Sequence, residues 1–263
     1  MNTFKRLSSG YLQLCLMLCL LTAISSNIAA APLSGAKQQN VTLANGTQIP
    51  VTVFSGRSNA ILLWLPSENG LVPAEFNAAG EISKAGIEVW LADLHTAYFL
   101  PVVPSSLQQI PADDVAQLIA AIARSSGKKI YLVSEGNGAA LALTAAAALH
   151  DDRHGLRGAI LLSPNLYVAT PEPGEDAQYL PVATATHLPL AILQPELSPW
   201  RWHLDQLQVL LNRGGASVAI KLLPKVRDRF YFRDDALPAE QALAPSLPQL
   251  IINAYKQLEG NQP

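Results

Sequence analysis

Side chains able to do chemistry gather around one short stretch of this sequence. Ser134-Glu135-Gly136-Asn137-Gly138 sets a hydroxyl and a carboxylate beside two glycines. A serine oxygen attacks a carbonyl only when a base takes its proton, and a carboxylate can serve as that base or as a general acid. Ser67 is a second hydroxyl of interest. His95, in Asp93-Leu94-His95, falls at a strand end near the carboxyl edge of the sheet, where open α/β sheets bind ligands. Asp228 could approach Glu135 as a paired carboxylate. Each has a plainer reading, and the plainer one is expected. Solvated ion pairs are far commoner than new catalytic dyads, so Glu135 is expected to face solvent and Asp228 to pair with Arg227, Arg229 or Arg233. His95 is expected in an exposed loop.

The remaining histidines are His150, His154, His187 and His203. No two have zinc-ligand spacing with a third ligand nearby, and the His150/His154 pair sits at a helix end, where the dipole favours histidine. No metal is expected. Gly136-x-Gly138 lacks the third glycine and the companion acid of a dinucleotide fingerprint, so no cofactor is expected either.

The elements that must position these residues alternate. Val41 to Ala44 and Thr47 to Phe54 read as a β-hairpin around Asn45-Gly46, a pair suited to a two-residue primed turn. Strands follow at 60–65, 87–92, 130–133, 158–163, 190–194 and 217–223. Helices are expected over 74–85, 111–125, 138–150, 202–212 and 246–258, and the irregular, proline-rich stretch 164–187 is where a lid would be inserted. Strands alternating with helices imply α/β architecture: a mainly parallel sheet with helices on both faces, with the hairpin adding antiparallel strands at one edge.

Within this frame Lys128 to Leu143 is an apolar strand, a turn of small residues and an alanine-rich helix. That is the context of a nucleophile elbow, in which G-x-S-x-G holds the serine. Ser134 falls at the first glycine, Gly136 at the nucleophile and Gly138 at the last glycine. With Gly158-Ala159-Ile160-Leu161-Leu162-Ser163-Pro164 and the order of elements, the region from about 41 to 258 resembles the α/β-hydrolase superfamily. The resemblance implies a triad in chain order Ser, acid, His. Gly136 stands at the first station, and Ser198, with Glu196 two residues earlier, at the second. Asp228 or Arg229 stands at the third, and no histidine follows His203. The oxyanion-hole loop reads Leu65-Pro66-Ser67-Glu68-Asn69-Gly70 in place of His-Gly. Four departures together imply that the serine-hydrolase mechanism is missing. Ser134, Glu135, Gly136, Asn137 and Gly138 remain as a ligand-binding turn. The alternative is a rearranged hydrolase using Ser134 or Ser67 with Asp228, Glu135 or His95.

The first 30 residues read as a signal peptide. Lys5 and Arg6 precede an apolar run from Tyr11 to Ile24, and small residues end in Ala29-Ala30-Ala31. Cleavage is expected after Ala30, since cutting after Ala31 would place Pro32 first. Cys15 and Cys19 lie within the apolar run, so the mature chain would carry no thiol. A retained signal anchor is the second reading, because the run is short of the ~20 residues a span needs. Residues 31–40 read as a flexible leader and 41–263 as one domain. With 49% hydrophobic and 14% charged residues and a net charge of −2, the chain is globular, and nothing points to nucleic acid. The reading is an exported, periplasmic or secreted, protein that binds a small molecule or an exported protein partner, with no membrane span in its mature part.

Overall fold

The computed structural model describes residues 35–149, 155–172 and 174–260. The signal segment with Cys15, Cys19, Ala30 and Ala31, the first residues of the expected leader, and His150 and His154 lie outside them.

Eight strands form one sheet: β1 (Ala36–Thr42), β2 (Gln48–Phe54), β3 (Ala60–Trp64), β4 (Glu88–Ala92), β5 (Lys129–Glu135), β6 (Leu156–Leu162), β7 (Leu190–Pro195) and β8 (Val218–Leu223). The spatial order is β1-β2-β4-β3-β5-β6-β7-β8. β1 and β2 pair antiparallel, as do β2 and β4, and every other pairing is parallel.

Successive side chains of a strand face opposite sides, and the two halves of the core follow that rule. Ile61, Leu63, Ile130, Leu132, Leu161 and Ile192 join one cluster, whereas Leu62, Trp64, Tyr131, Val133, Ile160 and Leu193 join the other. The first cluster is covered by α3 (Ala112–Ser126), α4 (Gly138–Ala148) and α6 (Leu204–Arg213). The second is covered by α1 (Pro73–Lys84) and α8 (Leu247–Gly260). The apolar residues of α3 recur at helical spacing, as in Val115, Leu118, Ile119 and Ile122, so one stripe of that helix is buried, whereas α4 is apolar nearly all round. Three short helices complete the fold: α2 (Leu94–Ala97), α5 (Val182–Ala185) and α7 (Pro238–Leu243). Among the described residues no helix is long and apolar enough to cross a membrane.

Two local expectations are corrected. The flexible leader cannot extend to residue 40, because β1 begins at Ala36 and pairs with β2 along its whole length. Its residues, Ala36-Lys37-Gln38-Gln39-Asn40, are mostly polar because β1 is an edge strand, and edge strands carry little apolar patterning. The Asn45-Gly46 connection is not a two-residue turn. Thr42 pairs with Gln48, leaving five residues between, and only Gly46 has positive φ, at 86°. Asn45 is engaged elsewhere: its Nδ2 donates to both carboxylate oxygens of Asp114 on α3, at 3.0 and 3.1 Å. Its Oδ1 accepts from Thr47 N.

Candidate functional site

Parallel strands deliver their carboxyl ends to one edge of the sheet, and β5 ends there in the sharp turn to α4. Gly136 adopts φ +54°, as the reversal from strand to helix demands. Its amide donates to Leu162 O at 3.1 Å, and its carbonyl accepts from Asn165 N at 3.0 Å. The turn is thereby tied to the end of β6. A Cβ at Gly138 would lie 2.3 Å from both Pro66 O and Ser134 Oγ, so the approach of β3's outgoing loop excludes any side chain there. Ser134 is buried within the strand, with Oγ 3.4 Å from Leu65 O.

The apex of the turn is covered. A Cβ at Gly136 would meet Glu68 Oε2 at 2.6 Å and Oε1 at 2.8 Å. The same Oε2 accepts the backbone N–H of Asn137 at 2.9 Å. In a nucleophile elbow the N–H of the residue after the nucleophile is a donor to the developing oxyanion. Here a carboxylate carried by the loop after β3 holds that donor.

Behind the turn lies a closed acidic cluster. Glu135, Glu75 of α1 and Tyr231 are all buried. Tyr231 Oη lies 2.7 Å from Glu135 Oε2 and 3.1 Å from Glu75 Oε1. One phenolic hydrogen cannot serve two carboxylates, so the second contact takes its proton from a carboxyl group. Burial agrees with this, raising Glu135 to about 8 and Glu75 to about 7, with the Tyr231 hydrogen bond pulling both back. The remaining oxygens are also paired. Glu135 Oε1 accepts Arg229 N at 3.0 Å, and Glu75 Oε2 accepts Val72 N at 3.0 Å. Glu135 is therefore not at the surface as expected. It is the hub through which the loop after β8 is fastened to the elbow, with Arg229 at φ +59° to present its amide.

The other predicted positions disperse. Ser198 is buried, and its Oγ lies 2.9 Å from Ser163 Oγ. Asp228 pairs with Arg229 Nε at 3.1 Å, one of the ion pairs expected. The rest of that loop is packed into the fold. Phe230 and Tyr231 are buried, and Arg227 is bound by Glu240 and Asp235. Ser67 Oγ accepts Asn69 N at 3.1 Å, closing the loop that carries Glu68. His95 is buried in α2 and not in an exposed loop, and burial lowers its pKa. Neither of its nitrogens has a hydrogen-bond partner among the described residues. Neither Ser134 nor Ser67 hydrogen-bonds to a histidine or a carboxylate among those residues. No group of three or more His, Cys, Asp or Glu among them could hold a metal ion.

Beside the turn opens a cavity of about 680 Å³. Its walls mix apolar side chains, from Leu107, Ile110, Leu141 and Leu180, with the polar side chains of Gln108, Asn137, Thr144, Asn165, Tyr167 and Thr170. Asn165 Nδ2 donates to Asn137 Oδ1 at 2.7 Å, and Asn165 Oδ1 accepts Tyr167 N at 3.2 Å. Of the five turn residues expected to bind ligand, Asn137 alone lines this cavity. The stretch expected as a lid supplies one wall through Tyr167, Val168, Ala169 and Thr170. Sequence reasoning missed Glu68, Glu75, Tyr231 and Asn165 as site residues. A signal was present for two of them: Glu68 lies in the loop read as the oxyanion-hole loop, and Asn165 directly follows the Ser163-Pro164 strand end.

The order β1-β2-β4-β3-β5-β6-β7-β8, with a strand–turn–helix at the end of β5, has close counterparts among solved structures. The fold is that of the α/β-hydrolases. The esterase Est22 superposes with a TM-score of 0.63 at 15% identity, over 96% of this chain and 87% of that one. A Klebsiella pneumoniae protein assigned as a dienelactone hydrolase gives 0.63 at 12% identity, over 84% and 99%. A hormone-sensitive lipase from a metagenome library gives 0.60 at 14%, over 84% of each chain. No protein-family model and no curated protein sequence matches the chain. At these identities the α/β-hydrolase fold is shared, and the chemistry must be argued from the residues.

Proposed function

We propose that this α/β-hydrolase-fold protein is an exported binding module for a small molecule and lacks serine-hydrolase chemistry. The observation that carries the reading is Glu68. Acyl transfer by this fold needs an oxygen nucleophile at the elbow apex, a base to activate it, and free N–H donors for the oxyanion. Gly136 supplies no oxygen, and the Asn137 N–H is already bound to a carboxylate. A second carboxylate there, or an oxyanion, would be repelled by Glu68. The cavity beside the turn is of ligand size, and its wall offers both apolar surface and uncharged hydrogen-bonding side chains, as a small-molecule site does.

A rearranged hydrolase is the second reading, and the raised pKa values of Glu75 and Glu135 favour it, since perturbed carboxyl groups cluster at catalytic sites. Both groups are buried, and neither lines the cavity. Their partners are structural, so we place the binding reading first. Purified protein assayed with p-nitrophenyl acetate and p-nitrophenyl decanoate, and with a fluorophosphonate probe, is expected to show no enzyme-dependent turnover and no labelling. Turnover abolished by Ser134→Ala or Ser67→Ala would overturn it.

Export rests on the basic residues Lys5 and Arg6, the short apolar run and the alanines that follow. Cleavage after Ala30 is expected to leave Ala31-Pro32-Leu33 as the N-terminus. N-terminal sequencing and intact mass of protein from the periplasm or medium check this, and full-length chain confined to the membrane fraction would replace it with a retained anchor.

A further inference from the structure

The hydrogen bonds along the cavity wall run in one direction. The backbone N–H of Tyr167 can only donate, and it donates to Asn165 Oδ1. Asn165 must then turn its Nδ2 the other way, and this donates to Asn137 Oδ1. With its oxygen turned toward Asn165, the Asn137 carboxamide directs Nδ2 the other way as its donor, and no acceptor takes it among the described residues. The orientation of both amides follows from the single fixed polarity of a main-chain N–H. The relay thus ends on a donor of a residue in the wall of a cavity whose lining contains no charged residue. Glu68 adds a second constraint, because its carboxylate sits on the backbone N–H of the same Asn137.

We propose that the cavity selects neutral small molecules that carry a carbonyl oxygen, with the Asn137 carboxamide donating to that oxygen and Glu68, held on the backbone N–H of the same residue, disfavouring carboxylates. This rests on the reading of the cavity as the binding site and names its ligand class. A carbonyl oxygen completes the relay. A carboxylate in the same place would be brought toward the like charge of Glu68, which sits behind the wall on the Asn137 backbone N–H, with no cation in the cavity wall to pair with it. A hydrocarbon would leave the donor unmatched, a loss of about tenfold in affinity for one hydrogen bond.

The test is displacement of the neutral fluorophore N-phenyl-1-naphthylamine, at pH 8, by three probes of equal chain length: 2-decanone, 2-decanol and decanoate. The wild type is expected to bind the ketone and the alcohol and to bind decanoate at least tenfold more weakly. Glu68→Gln is expected to narrow that decanoate penalty at least fivefold. Asn165→Asp reverses the relay. An aspartate still accepts from Tyr167 N but cannot donate, so Asn137 swings its Nδ2 onto the aspartate and shows Oδ1 to the cavity. The ketone, which only accepts, is then expected to lose about tenfold against the alcohol, which can donate. Asn137→Leu removes the donor outright and is expected to weaken ketone and alcohol alike. The inference falls if decanoate binds the wild type as well as the ketone, if Asn165→Asp weakens ketone and alcohol equally while its thermal unfolding matches the wild type, or if neither neutral probe displaces the fluorophore. Neither the ketone nor the alcohol can be hydrolysed. Ester turnover would therefore sink the non-hydrolytic reading and leave this ranking intact, and a failed ranking would leave the turnover result intact.

Discussion

Two polar regions meet at the β5 turn and use their groups in opposite ways. Behind the turn, Glu135, Tyr231 and Glu75 are buried, and their hydrogen-bonding capacity is spent on one another and on the amides of Arg229 and Val72. Beside it, the Asn165–Asn137 relay leaves one donor over, on a residue that lines a cavity. Raised pKa values mark the first region, and they arise from burial and from carboxyls set close together. The second carries no titratable group except Tyr167, and it is the one a ligand can reach. On the proposed reading the perturbed carboxyl groups are architecture, and the unspent amide marks the site.

The contrast can be broken most severely at the turn that separates the regions. Gly138→Ala would press a methyl group into Pro66 O and Ser134 Oγ, and backbone cannot give way as a flexible side chain can. We expect a loss of about 3 kcal/mol in urea unfolding, the upper end for an overpacked site. A loss under about 1 kcal/mol would mean that the β3 loop can move away from the turn.

Next comes the acidic cluster itself. Both carboxyls hold their protons more tightly folded than unfolded, so stability is full below the ordinary carboxyl range. It is lost as pH rises from about 4.5 through the folded values of about 7 and about 8. Chemical denaturation is expected to give a wild type less stable at pH 9 than at pH 5, by on the order of a few kcal/mol. Glu75→Gln, whose amide carries permanent hydrogens, should flatten that slope. Tyr231→Phe should steepen it by stripping both carboxyls of their shared hydroxyl, at a cost of about 2 kcal/mol at pH 8. A stability curve flat from pH 5 to 9 in the wild type would show the cluster to be hydrated.

The smallest effect is expected at the apex. Gly136→Ser must push aside only the far end of Glu68, and it adopts a left-handed conformation costing about 1–2 kcal/mol. Esterase activity toward p-nitrophenyl acetate should stay near background. Turnover typical of an esterase in this single variant would reveal a base that the geometry does not offer.

Much of the frame was legible because alternation and helical spacing are local. Leu62, Leu63 and Trp64, or Val115, Leu118 and Ile119, declare their faces without help from distant residues. Gly136 at the apex was legible too, since the missing side chain is a property of one position. The two reversals of expectation, Glu135 and His95, were not. Their burial depends on what packs over them, and for Glu135 that is Tyr231, 96 positions further along the chain. Glu68 was hidden for the same reason: its contact with Asn137 spans 69 positions and needs β3 to lie beside β5. Most of edge strand β1, residues 36–40, was read as leader because its pairing shows in its partner's sequence more than in its own.

The pairing of Glu68 with an apex glycine also bears on how such a protein could change over generations. A serine arriving at 136 finds the space taken. A loss of Glu68 uncovers an empty N–H with no nucleophile beside it. Neither substitution alone gives a selectable gain in ester cleavage, and each disturbs the turn. On the proposed reading the two positions are coupled, and a path toward ester cleavage at this turn takes at least two substitutions. Drift within the present arrangement is left to explore the cavity wall, where single changes act one at a time.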